Sequence, residues 1–322
     1  MTNTAVKHTP VMLARCLDLL APAFEVAAPL MVDATVGLGG HTEGALKRFP
    51  SLTVIGIDRD PVALELASGR LAPFGNRFRP FQGTYDQIGD ALDGQLANGI
   101  LMDLGVSSMQ LDEVERGFSY ATDAPLDMRM DATSGESAAE LLARIDRNDL
   151  VRILRRYGDE KFAPRIADLV VKRRETDPLQ TTGQLVDIVR AAIPAPARRT
   201  GGNPAKRTFQ AIRIAVNDEL AILEDAIPAA LSNLAVGGRL VVEAYQSLED
   251  RIVKDYFNAG ANPQLPAGLP MTADEVDAHR TLRLLTRGAE RASESEANTN
   301  PRSIPVRLRA AELLTQWRHD VR

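Results

Sequence analysis

Apolar positions along the chain fall into two regimes. In the first hundred or so residues, short uninterrupted apolar runs end abruptly at polar or glycine-rich chemistry: Leu30-Met31-Val32 stops at Asp33 and Val54-Ile55-Gly56-Ile57 stops at Asp58. A further run, Gly99-Ile100-Leu101-Met102, ends at Asp103. Runs of this kind read as buried parallel strands covered on both faces. Between them the spacing predicts helices over Thr9 to Leu20, His41 to Phe49 and Pro61 to Ala67, the last with Asp60 as its N-cap and Pro61 at its first position. Arg77 to Tyr85 is expected as a third strand. Strands alternating with helices at this spacing indicate right-handed βαβ units and a doubly wound α/β sheet.

In the second regime the alternation stops. From Leu111 to Lys206 the apolar residues recur at helical intervals over Ala138 to Ile145, Asn148 to Tyr157, Phe162 to Arg174 and Thr182 to Ala192, with no convincing strand. Phe209 to Leu234 then reads as one long helix, and Gly237-Gly238 followed by Arg239 to Glu243 as a turn and a returning strand. Ser293 to Asn300 reads as a polar excursion open to disorder. The organisation expected is therefore a core in two parts, 1–111 and 207–322, with an all-helical domain, 112–206, inserted between them. Ligands of such sheets bind at the carboxyl ends of the strands, so an insert emerging just after Asp103 is expected beside the ligand, where it can receive a substrate.

Composition narrows the class. The 322 residues are 44% hydrophobic and 25% charged, ordinary for a globular enzyme, and the formal net charge is −5. No apolar run reaches membrane-spanning length, and Met1 to Pro10 lacks a signal-peptide pattern, so a cytoplasmic protein is expected. Cys16 is the only cysteine, which rules out an intramolecular disulfide, and a cysteine-based zinc site is not expected. No metal is expected at His41, because no second histidine or cysteine cluster accompanies it in sequence.

The strand tips carry the candidate chemistry. Val36-Gly37-Leu38-Gly39-Gly40-His41 follows the first strand, and glycines there let backbone pass close to a nucleotide-like ligand. A carboxylate at the next strand tip, Asp58, can hold both hydroxyls of a ribose. A dinucleotide fingerprint requires glycine at its sixth position, which here is Thr42. The Gly-x-Gly-Gly form fits a pocket for S-adenosylmethionine (SAM), which has no phosphates and needs no anion cradle; a purely structural tight turn is the alternative. Further on, Arg198, Arg199, Lys206, Arg207 and Arg213 fall in a stretch with no acidic residue whose first half, around Gly201-Gly202-Asn203-Pro204, is a flexible loop. That pattern suits binding of a phosphate backbone, or else a solvated loop with surplus arginines.

Longer stretches closely resemble the ribosomal RNA small subunit methyltransferase H family. They include Lys7-His8-Thr9-Pro10-Val11-Met12-Leu13, Gly37 to Thr42, Ile57-Asp58-Arg59-Asp60-Pro61, Met102 to Asp112, Glu115 to Tyr120 and Pro125 to Asp131. Tyr157 to Phe162, Arg207 to Arg213 and Ser247 to Lys254 continue the match in the family's order. The resemblance implies a class I SAM-dependent methyltransferase fold, a Rossmann-like doubly wound sheet with an inserted all-helical domain. It implies methylation of the exocyclic N4 of one cytidine in the decoding centre of 16S rRNA, within the small ribosomal subunit or its precursor. Carried over by position, it places Gly39, Gly40, His41, Asp58, Tyr85, Asp103 and Gln110 around SAM. For Tyr85, commonly phenylalanine in the family, a half-buried strand aromatic is the plain alternative. For His41 it is a helix-start residue bonded locally.

An exocyclic cytosine amine is a poor nucleophile because its lone pair is delocalised into the ring, so an acceptor aimed at its hydrogens is needed, and Asp103 is the candidate. Many amino-methyltransferases carry Asp/Asn-Pro-Pro-aromatic at this tip; here the tetrapeptide is Asp103-Leu104-Gly105-Val106. Stacking on the base must come from elsewhere, with Phe118 and Tyr120 as candidates and core packing as their alternative. Gln246 stands where the family often has histidine. An amide does not titrate, so this position is expected to orient by hydrogen bonding. A Rossmann oxidoreductase, a non-catalytic SAM-binding assembly factor and a methyltransferase acting on another RNA are the competing readings, and the oligomeric state is left open, a homodimer included.

Overall fold

Parallel strands that end in carboxylates dominate the computed structural model, which describes residues 10–107, 109–110, 113–198, 203–263, 272 and 279–317. By contacts the chain divides into two compact units, residues 1–105 with 221–322, and residues 106–220.

The first unit is built on a seven-stranded sheet, β1 Leu30–Asp33, β2 Thr53–Asp58, β3 Phe78–Gln82, β4 Ala97–Asp103, β5 Leu234–Ala244, β6 Leu282–Leu284 and β7 Arg307–Leu313, in the order β3-β2-β1-β4-β5-β7-β6. Strands β3 to β5 in that order are parallel, and β7 runs antiparallel to both β5 and β6. Each successive side chain points to the opposite face, and the core divides accordingly. Val32, Ile55, Ile100, Met102, Leu240 and Val242 pack on one side with Ile88, Leu92, Leu223, Ile227 and Phe257. Met31, Val54, Leu101 and Val241 pack on the other with Cys16, Leu17, Leu20, Leu46 and Leu71. Burying both faces explains why β1, β2 and β4 read as continuous apolar runs rather than alternating ones. This is the class I methyltransferase fold.

Asp60 caps the helix Pro61–Leu71 by accepting from the Val62 N–H at 3.0 Å. Two expectations need correcting. Tyr85 does not end a strand; β3 stops at Gln82, and Tyr85 opens a short 3-10 turn, Tyr85–Gln87, where the Gln87 side chain accepts from the Thr84 N–H. Ser293 to Asn300 contains a helix, Glu294–Thr299, because the Ser293 hydroxyl accepts from the Glu296 N–H. The C-terminal strand β7 lies inside the sheet, and β6 forms the edge.

The second unit is helical: Ala138–Arg144, Arg147–Gly158, Ala163–Arg174, Thr182–Ala192 and Lys206–Asn217 surround a core that includes Leu150, Leu154, Ile166, Val170, Leu185, Val189, Phe209 and Ile212. Among its described residues there is no strand, only an isolated bridge between Pro125 and Thr181. The helix expected over Phe209 to Leu234 is two, Lys206–Asn217 and Glu219–Ser232, because Asp218 takes a left-handed conformation (φ 51°) and ends the first. Asn217 is buried at that end, accepting from the Met130 N–H at 2.7 Å and donating to the Met128 carbonyl at 2.7 Å.

Candidate active site

Asp33, Asp58 and Asp103 stand at the carboxyl ends of β1, β2 and β4, neighbours across the sheet at the point where strand order reverses. Each is held differently. Asp33 is buried, with one oxygen accepting from the Thr42 hydroxyl at 2.7 Å and the other from the Thr35 N–H at 3.3 Å. Asp58 accepts from the Gly37 N–H and the Asp60 N–H, both at 2.9 Å, so each oxygen retains a lone pair for a further donor. Burial pushes its pKa up to about 6 against those two hydrogen bonds. An acceptor pair fixed by backbone and partly stripped of water fits a vicinal diol, which supplies two O–H donors.

The loop between β1 and the helix Gly40–Arg48 is shaped by its glycines for two reasons. Gly39 sits at φ 77°, a left-handed conformation costly to other residues. Gly40 is bare for Pro10: a Cβ there would lie 2.5 Å from the Pro10 ring. Only the first of these is the backbone freedom inferred from sequence.

Asp103 faces a cluster that sequence did not assemble. The Tyr245 hydroxyl donates to its Oδ1 at 2.8 Å, and its backbone N–H donates to the Thr35 hydroxyl at 2.7 Å. Burial raises the Asp103 pKa, opposed by His41 and by the Tyr245 hydrogen bond. Burial and Asp103 push the Tyr245 phenol up as well, so it remains a donor. With 28% of its side chain exposed, Asp103 keeps an open side for a ligand.

The His41 side chain turns inward. It is 6% exposed, with Nε2 2.9 Å from the Val11 carbonyl oxygen and 3.4 Å from Glu243 Oε2, and Nδ1 3.8 Å from Asp103 Oδ2. Cys16 and Glu243 lie beside it, with one ligand-type atom of each of the three within 4.8 Å of the others. They come from a helix and a strand far from it in sequence. Glu243 could have been suspected, because it ends the apolar run Leu240-Val241-Val242 just as the three aspartates end theirs.

Tyr85 is half-buried and packs on the sheet core. Within the helical unit, Gln110 is buried and accepts from the Ser107 N–H at 3.1 Å. Phe118 is buried, and Tyr120 meets Phe209 edge-on at 5.8 Å, so both rings are engaged in packing, the alternative weighed above. Arg198, Lys206 and Arg207 are exposed, whereas Arg213 is locked to Glu219 by two bonds of 2.8 Å and is not available to a phosphate. Arg199 lies outside the described residues. Gln246 is the residue before the helix Ser247–Ala261 and forms a capping box with Glu249, its side chain facing the Glu249 backbone N–H. Its N–H and that of Tyr245 both donate to Glu249, at 3.0 and 2.9 Å.

A family model described as MraW methylase family matches residues 5–314. The chain belongs to the MraW methylase family. Curated relatives of this methylase include the ribosomal RNA small subunit methyltransferase H of Beutenbergia cavernae, 57% identical over 96% of this chain and 93% of that one. That of Streptomyces avermitilis is 52% identical over 96% of this chain and 98% of that one. A solved structure of an rRNA methylase from Streptococcus thermophilus aligns at 13% identity with a TM-score of 0.42, covering 94% of each chain. As a methylase of this family the protein uses SAM as its cofactor, and the loop at Gly39, the diol acceptor Asp58 and the open side of Asp103 are the features that fit it. Among the described residues no helix is long and apolar enough to cross a membrane.

Proposed function

We propose that this methylase transfers the SAM methyl group to the exocyclic N4 of one cytidine in the decoding centre, the P-site region, of 16S rRNA, acting in the cytoplasm on the small subunit or its precursor. The curated relatives bear the name ribosomal RNA small subunit methyltransferase H. The observation that carries the chemical part is Asp103: a strand-tip carboxylate, oriented by Tyr245, with its other side open.

Bound SAM supplies an electrophilic methyl on a sulfonium. Asp58 fixes the ribose diol, and the loop at Gly39 and Gly40 brings backbone against the cofactor. Asp103 accepts a hydrogen bond from the N4 amine, favouring the pyramidal nitrogen whose lone pair can attack the methyl in line; such positioning at about 3 to 3.5 Å supplies a large part of the rate. Gln246, held at the start of the helix Ser247–Ala261, serves to orient by hydrogen bonding and not by titration. The nitrogen becomes cationic on methyl transfer and therefore strongly acidic, so its proton leaves to water without a dedicated base. Substrate RNA is assigned to the helical unit, with Arg198, Arg199, Lys206 and Arg207 on phosphates.

The deciding experiment incubates the enzyme and its Asp103→Ala variant with immature small subunits and labelled SAM, then maps the methylated nucleotide by mass spectrometry. N4-methylcytidine at one decoding-centre position is expected, with activity collapsing in the variant while SAM affinity stays within a few-fold. Methylation of another base or another RNA, or none at all, refutes the substrate assignment; equal loss of affinity and activity demotes Asp103 to a cofactor ligand.

A further inference from the structure

Beneath the strand tips, the side chains of Cys16, His41 and Glu243 converge so that one ligand atom from each lies within 4.8 Å of the others. Cys16 and Glu243 are 0% exposed and His41 6%. Neither Glu243 oxygen accepts a hydrogen bond from nitrogen or oxygen among the described residues, and the Cys16 thiol is its hydrogen-bonding neighbour. An ionised carboxylate so placed is costly unless a cation accompanies it. Glu243 is also the direct neighbour of Asp103 across the parallel pair β4–β5, and Asp33 is close enough to act on both electrostatically. Among the described residues no lysine or arginine is hydrogen-bonded to Asp33, Asp103 or Glu243. The sheet therefore gathers acidic groups around one imidazole and one thiol.

We propose that Cys16, His41 and Glu243 bind a divalent transition metal of the zinc class as a buried structural site under the cofactor loop. Four observations support it. A thiolate and a carboxylate neutralise a dication with a neutral imidazole as third ligand, so no net charge is left buried. Mixed S, N and O donors suit Zn²⁺ and its analogue Co²⁺ rather than the oxygen-seeking Mg²⁺ or Ca²⁺. Tetrahedral ligation at roughly 2.0 to 2.3 Å puts ligand atoms about 3.3 to 3.8 Å apart. His41 Nε2 and Glu243 Oε2 are already at 3.4 Å, and the sulfur needs to move by less than about 1.5 Å to match that spacing. Finally, His41 Nδ1 faces Asp103 at 3.8 Å, the outer carboxylate that metal-bound histidines commonly have. Nε2 then carries the lone pair for the metal, and the Val11 carbonyl, 2.9 Å from it, is placed as a fourth oxygen. The site would tie the helix Leu13–Leu20, the helix Gly40–Arg48 and β5 together and hold the histidine against Asp103.

Because the ligands are enclosed, metal is expected to enter during folding. The full chain, produced in zinc-supplemented medium and gel-filtered, should hold about one zinc per chain by elemental mass spectrometry. Refolding in Co²⁺ should give a thiolate-to-cobalt charge-transfer band and tetrahedral d–d bands. Cys16→Ser and Glu243→Gln should lose the metal. Where a variant folds poorly, the same question is answered on wild type by a melting temperature that falls in a strong chelator and recovers with Zn²⁺. Metal below a tenth of an equivalent, no cobalt–thiolate band and a chelator-insensitive melting temperature would overturn the proposal. Glu243 would then be a protonated acid against the Cys16 thiol, visible as a carboxylic C=O stretch lost in Glu243→Gln. All these readouts are independent of the RNA substrate, so the site can fail while the methylation assignment stands.

Discussion

Lowering the pH should release the cofactor through Asp58. Its pKa is raised from 3.8 to about 6 by burial, against the opposing hydrogen bonds from Gly37 and Asp60. The sign follows from which form each state prefers. Between pH 4 and 6 the folded protein without ligand binds the Asp58 proton and the unfolded chain does not, so this group's contribution to stability falls as pH rises through that window and is constant above it. Two pKa units correspond to about 3 kcal/mol as an order of magnitude. A ribose diol donates to the ionised form only, and binding therefore pulls the pKa back down. SAM affinity should be flat above pH 7 and weaken below about 6, by at most about tenfold per pH unit. Calorimetric titration of SAM into the protein alone from pH 5 to 8 measures this without RNA. Asp58→Asn keeps the shape but loses the titration, so its weaker binding should be nearly independent of pH. A wild-type Kd that stays constant from pH 5 to 7.5, or an equally steep profile in Asp58→Asn, refutes the role of Asp58 and the origin of its shift.

Tyr245→Phe keeps the ring and deletes the 2.8 Å hydrogen bond to Asp103; a charge-assisted bond of about 1.5 to 3 kcal/mol implies a kcat about 10- to 100-fold lower with SAM affinity within a few-fold, and unchanged turnover would show that Asp103 needs no orienting. Neutralising Arg198, Lys206 and Arg207 together should lower the log–log salt slope of RNA binding by about 2 to 3, and an unaltered slope removes these residues from the interface. Arg213→Ala, by contrast, removes the paired hydrogen bonds to a 7% exposed Glu219 and should lower stability in denaturant unfolding while leaving that slope in place. Asn217→Ala leaves the buried Met130 N–H and Met128 carbonyl unpaired, so a loss of about 2 to 3 kcal/mol is expected in the same assay, with a smaller loss pointing to local rearrangement.

The parallel sheet was legible because a strand buried on both faces must be apolar throughout and can turn polar only where it reaches the ligand edge. Asp33, Asp58 and Asp103 stand out on that ground alone. The same logic reaches Glu243, which the alternation of elements concealed because its strand returns after the helical unit. Cys16 gave no signal, since a buried cysteine in an amphipathic helix looks like any small apolar residue. The bond from Tyr245 to Asp103 depends on β4 and β5 being neighbours, which no local pattern states. The break at Asp218 was missed because Asn217-Asp218 in a left-handed turn leaves the apolar spacing on either side intact. Within the basic stretch Arg213 pairs with Glu219, an acid six residues on, which a run of like charges does not reveal.

The place of β7 sets a timetable for folding on the ribosome. It is the last of the described strands yet lies between β5 and β6, and the helix Leu13–Leu20 is bonded through Arg15 to Glu290, in the segment that joins β6 to β7. A nascent chain halted before Arg307 carries an unfinished sheet, with β5 exposing a bare edge able to capture a foreign strand and β6 unsupported. Native protection of the early strands in stalled chains should therefore appear late, once residues 307–313 have cleared the exit tunnel, even though β1 and β2 are made first.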